Sequence, residues 1–236
     1  MTSQRKYAII VAGGVGSRSG DSLPKQFHDI LGHPMLWWSL YAFKAEDPKT
    51  QLIVVMHPAY IEYWNSIAGP ECPQHQVVAG GDTRTASVAS GLTLIPDTEN
   101  GLVAVHDAAR PLVDTHLLCA GWECASLHGA AIPAIPVSDS LRRGTRNASH
   151  SVDRSEYFIV QTPQIFDISL LKNAYSEANK SKGIAFTDDA SVVEWYGKNV
   201  QFFDGNPSNI KVTYPGDFRI AMDCLSHRQG IDDTKR

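Results

Sequence analysis

Five short segments hold the residues best suited to bind and activate phosphates. The first is Val11-Ala-Gly-Gly-Val-Gly-Ser-Arg18, in which Gly13, Gly14 and Gly16 fall within four positions. Glycines at that density let the backbone approach a bulky anion, and successive N–H groups in such a turn can cradle phosphate oxygens. Arg18 leaves the loop, and Lys25 follows in Leu-Pro-Lys-Gln-Phe. A dinucleotide fingerprint would need glycine at Ser19, and a Walker A loop would need lysine at Ser17, so neither applies. A glycine turn with solvated charges is the plainer alternative.

The second segment, Gly80-Gly-Asp-Thr-Arg-Thr-Ala-Ser87, is either a helix cap built on Asp82 or Thr83, or a second wall of a nucleotide site using Gly81 and Ser87. The third, Val105-His-Asp-Ala-Ala-Arg-Pro111, places Asp107 where a strand ends. There an aspartate can hold a metal–phosphate complex or a sugar hydroxyl, or act as a turn residue, and Arg110 is alternatively a surface charge. Thr187-Asp-Asp-Ala-Ser191 reads as a capped helix start with acids in its first turn, which needs no function. Asn209-Ile-Lys-Val-Thr213 puts Lys211 in an apolar strand, facing either water or an anion site.

The elements around these segments must bring them together. Apolar runs predict strands at 7–11, 51–56, 76–79, 102–106, 130–136, 200–203 and 209–213. Helical patterns are expected at 35–43, 59–67, 85–94, 117–127, 168–178, 188–196 and 217–225. The alternation with short links specifies an α/β fold, a mostly parallel sheet with helices on both faces. Such sheets bind ligands outside the carboxyl ends of their strands, where the polar segments fall. Residues 138–158 break the rhythm: the stretch is polar, carries Arg142, Arg143, Arg146 and Arg154, and is either a disordered loop or a β-hairpin arm.

Composition narrows the classes. The 236 residues, 43% hydrophobic and 19% charged, suffice for one large α/β domain over 1–236, and disorder is excluded. A formal net charge of −4 argues against a nucleic-acid partner without opposing a local basic pocket. No apolar run approaches the roughly 20 residues of a membrane helix, and no signal-peptide layout opens the chain. A cytoplasmic location is therefore expected. Cys72, Cys119, Cys124 and Cys224 form no CxxC pair, so neither a disulfide framework nor a protein-held zinc site is indicated.

The ordered set AGGVGSR, PKQF, GGDTRTASV, HDAARP, VDR at 152–154, TPQIF at 162–166, TDDAS and NIKVT resembles the 2-C-methyl-D-erythritol 4-phosphate cytidylyltransferase family over nearly the whole chain. The resemblance implies a Rossmann-like nucleotidyltransferase fold with a protruding β-arm, CTP and a sugar-alcohol phosphate as substrates, and Mg²⁺ bound mainly through the CTP phosphates. It also implies a homodimer whose arm, at about 138–158, reaches across to a shared active site. By position, Arg18 and Lys25 would stabilise charge at the α-phosphate, and Arg154, from the partner's arm, and Lys211 would position the attacking phosphate. Ala12, Gly13, Gly14, Gly16, Gly81, Asp82 and Ser87 would hold the nucleotide, and Asp107, Ala108, Arg110, Ser140, Thr162 and Thr187 the sugar-phosphate side. Relatives often have threonine where Ser140 stands, so the hydroxyl is kept, and a bulkier residue in place of Ser19-Gly20.

The implied nucleophile is a phosphate monoester, ionised near neutral pH because its second pKa is about 6. No general base is needed, and a set of cations suits the task of joining two polyanions. A ribitol 5-phosphate cytidylyltransferase shares the glycine loop, PKQ and the late lysine, but HDAARP, VDR and TDDAS fit the erythritol-phosphate branch better. Retention of all four cations argues against a non-catalytic nucleotide-binding regulator.

Overall fold

A computed structural model describes residues 4–14, 23–181 and 184–230 of the chain. In chain order the elements are β1 (Arg5–Ala12), β2 (Asp29–Ile30), β3 (His33–Pro34), α1 (Met35–Glu46), β4 (Gln51–Met56), α2 (Ile61–Ile67), β5 (Gln76–Ala79), α3 (Arg84–Leu92), β6 (Gly101–Asp107), α4 (Thr115–His128) and β7 (Ala130–Pro136). They continue with β8 (Leu141–Gly144), β9 (Ser149–Val152), β10 (Phe158–Val160), β11 (Gln164–Asp167), α5 (Ile168–Lys180), α6 (Asp189–Trp195), β12 (Gln201–Asp204) and α7 (Pro215–Arg228).

The main sheet runs β10-β7-β11-β6-β1-β4-β5, with β12 also pairing with β7. Strands β6, β1, β4 and β5 are mutually parallel, and β12 is parallel to β7. Strand β11 is antiparallel to both β6 and β7. Alternation along β1 divides the core. Ala8, Ile10 and Ala12 pack with Leu36, Leu40 and Phe43 of α1 and Leu118 and Trp122 of α4. Tyr7 and Ile9 pack on the opposite face with Val88 and Leu92 of α3, Leu171 and Tyr175 of α5, and Val192 and Val193 of α6. The expected sheet with helices on both faces is present.

Helix ends follow from local chemistry. The Thr83 side chain accepts from the Ala86 N–H and caps α3, while Asp114 accepts from Leu117 N–H at the start of α4. Helix α4 stops at Gly129, whose φ of 79° is the left-handed conformation that glycine tolerates best. Asp188 and Ser191 form a reciprocal capping box on α6.

One expectation needs correction. Residues 209–213 form no strand. The Val212 N–H donates to Ala109 O, but the Val212 carbonyl accepts from Lys25 Nζ and the Asn209 carbonyl from Arg110 Nη1. Side chains take the carbonyls that a ladder would need. Strand β11 has no counterpart among the strands expected from sequence; the polar Gln164 is buried within it.

The arginine-bearing stretch contains a β-hairpin. Strands β8 and β9 pair from Leu141↔Val152 to Gly144↔Ser149 and, among the described residues, join no other sheet. Of the two readings of 138–158, the hairpin is the one observed. Among the described residues, no helix is long and apolar enough to cross a membrane.

Candidate active site at the carboxyl ends of the parallel strands

A cavity of about 330 Å³ opens where β1, β5 and β6 end. Its lining combines Ala12, Gly13 and Gly14 after β1, Gly81, Asp82, Arg84 and Ser87 around the start of α3, and Asp107 and Ala108 at the end of β6. Lys25, Gln26 and Lys211 complete its charged and polar wall.

Each wall is fixed by its backbone. The Gly80 N–H donates to Met56 O at 2.8 Å and the Ala108 N–H to Val11 O at 3.1 Å, joining the loops after neighbouring strands. A Cβ on Gly81 would lie 2.6 Å from the Ala86 Cβ, and one on Gly80 would lie 2.8 Å from Ser87 Oγ. The turn into α3 therefore requires glycine at Gly81, where the clash is with a fixed Cβ, while at Gly80 the close atom is the movable Ser87 hydroxyl. Ser87 is buried and its hydroxyl donates to the carbonyls of Gly81 or Thr83. Gln26, which the sequence reading passed over, is 4% exposed and donates from Nε2 to the carbonyls of Ala12 and Gly14. It braces the first half of the glycine loop, and its place beside Lys25 in PKQF is the signal that could have revealed it.

The charges are arranged around Asp107. Lys211 Nζ donates to Asp107 Oδ2 at 2.7 Å, and Arg84 Nε lies 3.7 Å from Oδ1. Burial alone would raise the Asp107 pKa, but Lys211 and Arg84 outweigh it and hold the carboxyl below its ordinary value. Lys25 Nζ donates to Val212 O at 2.5 Å, one residue beyond Lys211.

Asp107 N–H donates to Thr162 Oγ1, whose hydroxyl is 3.2 Å from His106 Nδ1. Burial lowers the His106 pKa to about 4, against the opposing pull of Asp107. The ring is therefore neutral near pH 7 and serves as a hydrogen-bonding strut.

Of the expected site residues, Ala12, Gly13, Gly14, Lys25, Gly81, Asp82, Ser87, Asp107, Ala108 and Lys211 line this one cavity. Thr162 is buried directly behind Asp107. Arg110 is 9% exposed, and its guanidinium points inward to Asn209 O at 2.7 Å; burial lowers its pKa. Thr187, Ser140 and Arg154 are exposed and do not line the cavity, and Arg154 Nη1 donates to Ser138 O. Gly16 and Arg18 lie outside the described residues.

Known proteins share this architecture. Residues 7–227 match the family model for 2-C-methyl-D-erythritol 4-phosphate cytidylyltransferase. The protein of that name from Bacteroides thetaiotaomicron is 42% identical over 223 residues, covering 94% of this chain and 100% of the relative. The Porphyromonas gingivalis protein of the same name is 42% identical over 227 residues, covering 94% and 99%. The crystal structure of 2-C-methyl-D-erythritol 4-phosphate cytidylyltransferase from Thermus thermophilus superposes with a TM-score of 0.76 at 31% identity, covering 92% of this chain and 97% of that one. The parallel sheet, the cavity at its strand ends and the match along almost the whole sequence lead to one conclusion: this chain belongs to the 2-C-methyl-D-erythritol 4-phosphate cytidylyltransferase family.

Proposed function

We infer that this chain transfers the cytidylyl group of CTP to 2-C-methyl-D-erythritol 4-phosphate, giving 4-diphosphocytidyl-2-C-methyl-D-erythritol and pyrophosphate in the non-mevalonate route to isoprenoid precursors. Beyond family membership, the observation that carries this reading is the meeting of Lys25 and Lys211 in one glycine-walled cavity of a protein whose net charge is −4. Local cations without an overall basic surface suit small polyanions.

In the reaction, an ionised acceptor phosphate oxygen attacks the α-phosphorus of CTP, the new P–O bond forms, and the bond to the β-phosphate oxygen breaks with its electron pair leaving on pyrophosphate. Since the nucleophile carries its charge already, the protein's work is positioning and charge stabilisation. Lys25, with Arg18, neutralises charge developing around the α-phosphate. Lys211 orients the acceptor phosphate, together with Arg154. Ala12, Gly13, Gly14, Gly16, Gly81, Asp82 and Ser87 form the nucleotide wall. Asp107, Ala108, Arg110, Ser140, Thr162 and Thr187 belong to the acceptor side, Arg110 and Thr162 acting from behind the wall.

The residues present fit Mg²⁺ carried by the triphosphate. Among the described residues no group of three or more His, Cys, Asp or Glu could hold a metal, and the two carboxylates lining the cavity are Asp82 and Asp107. Asp107 is engaged by Lys211 and Arg84, so phosphate oxygens and water would supply most ligands, as Mg²⁺ commonly prefers. When bound, the ion lowers the charge repulsion between nucleotide and acceptor.

The active form is a homodimer in which the partner subunit's Arg154 completes each site. The exposed hairpin and the absence of Arg154 from its own chain's cavity support this arrangement. Four unpaired cysteines suit a reducing cytoplasm. The discriminating experiment is pyrophosphate release from CTP with Mg²⁺ and each of three conditions: 2-C-methyl-D-erythritol 4-phosphate, ribitol 5-phosphate, or no acceptor. Turnover in the first arm alone supports the assignment; preference for ribitol 5-phosphate, or no turnover, overturns it.

A further inference from the structure

The charges facing the cavity continue into the protein. Arg84, in the first turn of α3, donates from Nη2 to Asp189 Oδ2 at 2.6 Å, while its Nε approaches Asp107. Asp189, at the start of α6, is 0% exposed. Its Oδ1 accepts from the Tyr175 hydroxyl at 2.5 Å, and its own N–H donates to Gln164 Oε1 at 3.0 Å. Asp189, Arg84, Asp107 and Lys211 thus form a row of alternating charges leading from the core to the cavity.

Electrostatics keep the inner end of this row in place. Burial opposes the charge on Arg84, yet Asp189 by attraction and hydrogen bonding, with help from Asp107, raises its pKa. Burial and then the Asp189 charge push the Tyr175 hydroxyl well above its ordinary value, so it remains a donor. Lys211, whose side chain is 49% exposed, is the member able to turn toward a ligand phosphate. Doing so would remove one counter-ion from Asp107, whose side chain is 13% exposed. A buried carboxylate left without a partner is costly, but Arg84 already stands beside it.

Resting on the cytidylyl-transfer reading, we propose that Asp189 is a positioning residue for the reaction: it anchors Arg84 as the standing counter-ion of Asp107, so that Lys211 can exchange Asp107 for the acceptor phosphate. Without that anchor, Arg84 is drawn toward the triphosphate or rests unevenly on Asp107, and Lys211 stays bound to the carboxylate. Asp189 then acts on the transfer step through Arg84 and Lys211, without touching either substrate.

The test uses full-length protein, with kcat and KM measured well below each variant's melting temperature. Asp189→Asn keeps the shape and the Tyr175 hydrogen bond but removes the charge. It should lower kcat about 10- to 100-fold while changing KM for CTP less than about threefold, the pattern of a contribution made in the transition state. In a Lys211→Met background the same substitution should cost less than about a further twofold, because the two residues act in one unit. Asp189→Glu should restore at least about half of the activity lost in Asp189→Asn, since the charge returns. If Asp189→Asn does not fold, Tyr175→Phe, which deletes one hydrogen bond to Asp189, takes its place, with a several-fold loss of kcat that disappears in the Lys211→Met background. A kcat within about twofold of wild type, or an equal loss in both backgrounds, overturns the proposal. Wild-type turnover is measured alongside: inactive wild type refutes the function itself, whereas active wild type with an unaffected variant refutes only the role of Asp189.

Discussion

Lys25 Nζ lies 2.5 Å from the carbonyl oxygen of Val212, although 187 residues separate the two in sequence. The lysine that follows the glycine loop is therefore held by the same extended segment that presents Lys211 to the cavity. Two segments distant in sequence meet at the site, and the orientation of one lysine depends on the backbone that carries the other.

Removing Lys25 tests its part in charge stabilisation. Lys25→Ala should reduce kcat by about 10²-fold or more, with a smaller effect on nucleotide affinity, because its charge is needed most where negative charge develops. Steady-state kinetics with CTP and Mg²⁺ measure this, and turnover within a few-fold of wild type would remove Lys25 from the catalytic set.

How much of this site was legible in sequence depends on what each residue answers to. Gly81 and Lys25 are legible because short glycine-rich or polar segments follow apolar runs, and Lys211 because a lysine stands inside an apolar pattern. Asp189 is not, since an acid in the first turn of a helix already has a sufficient explanation in the helix dipole. Its contact with Arg84 bridges 105 residues and becomes visible only in three dimensions. Gln164 was hidden for a related reason. Its side chain satisfies Asp188 and the N–H groups of Asp189 and Ala190, and so a polar residue sits inside a buried strand. Residues 209–213 misled in the opposite direction: their apolar pattern predicts a strand, but side chains from distant segments captured the carbonyls.

If the proposed nucleotide wall of Gly81, Asp82 and Ser87 reads the cytosine, it should discriminate between bases. Gly81 packs against Ala86 of α3 with no room for a side chain, and Ser87 within α3 donates its hydroxyl to the Gly81 carbonyl. CTP should be preferred over ATP by about 10²-fold or more in kcat/KM, since a purine is larger and lacks the cytosine hydrogen-bonding edge. Equal use of the two nucleotides would contradict the assignment of this wall to cytosine.

His106 makes the fold sensitive to mild acid. Its folded pKa of about 4 lies below the roughly 6.5 of an unfolded histidine. Between those values the unfolded chain binds a proton that the folded chain refuses, so stability is full above about pH 6.5 and falls as pH drops toward 4. The contribution to the slope approaches about 1.4 kcal/mol per pH unit. Denaturant unfolding of wild type and His106→Gln between pH 7 and 5 should show a shallower dependence in the variant; identical slopes would refute the neutral buried ring.

The proposed cross-subunit site makes a prediction about mixing. Arg154→Ala and Lys211→Ala homodimers should each be nearly inactive. Co-refolded, they form mixed dimers with one site lacking both cations and one lacking neither. Random pairing should then recover up to about a quarter of wild-type activity, since half the dimers are mixed and each has one intact site. No recovery in verified mixed dimers would rule out the cross-subunit site while leaving the transfer reaction intact.

The most direct test of the central claim follows the α-phosphorus. With CTP labelled at that atom, Mg²⁺ and 2-C-methyl-D-erythritol 4-phosphate, the label should appear in a diphosphate ester joining cytidine to the sugar alcohol, and the released pyrophosphate should be unlabelled. Label recovered only in CMP or CDP, with no diphosphate ester formed, would contradict cytidylyl transfer.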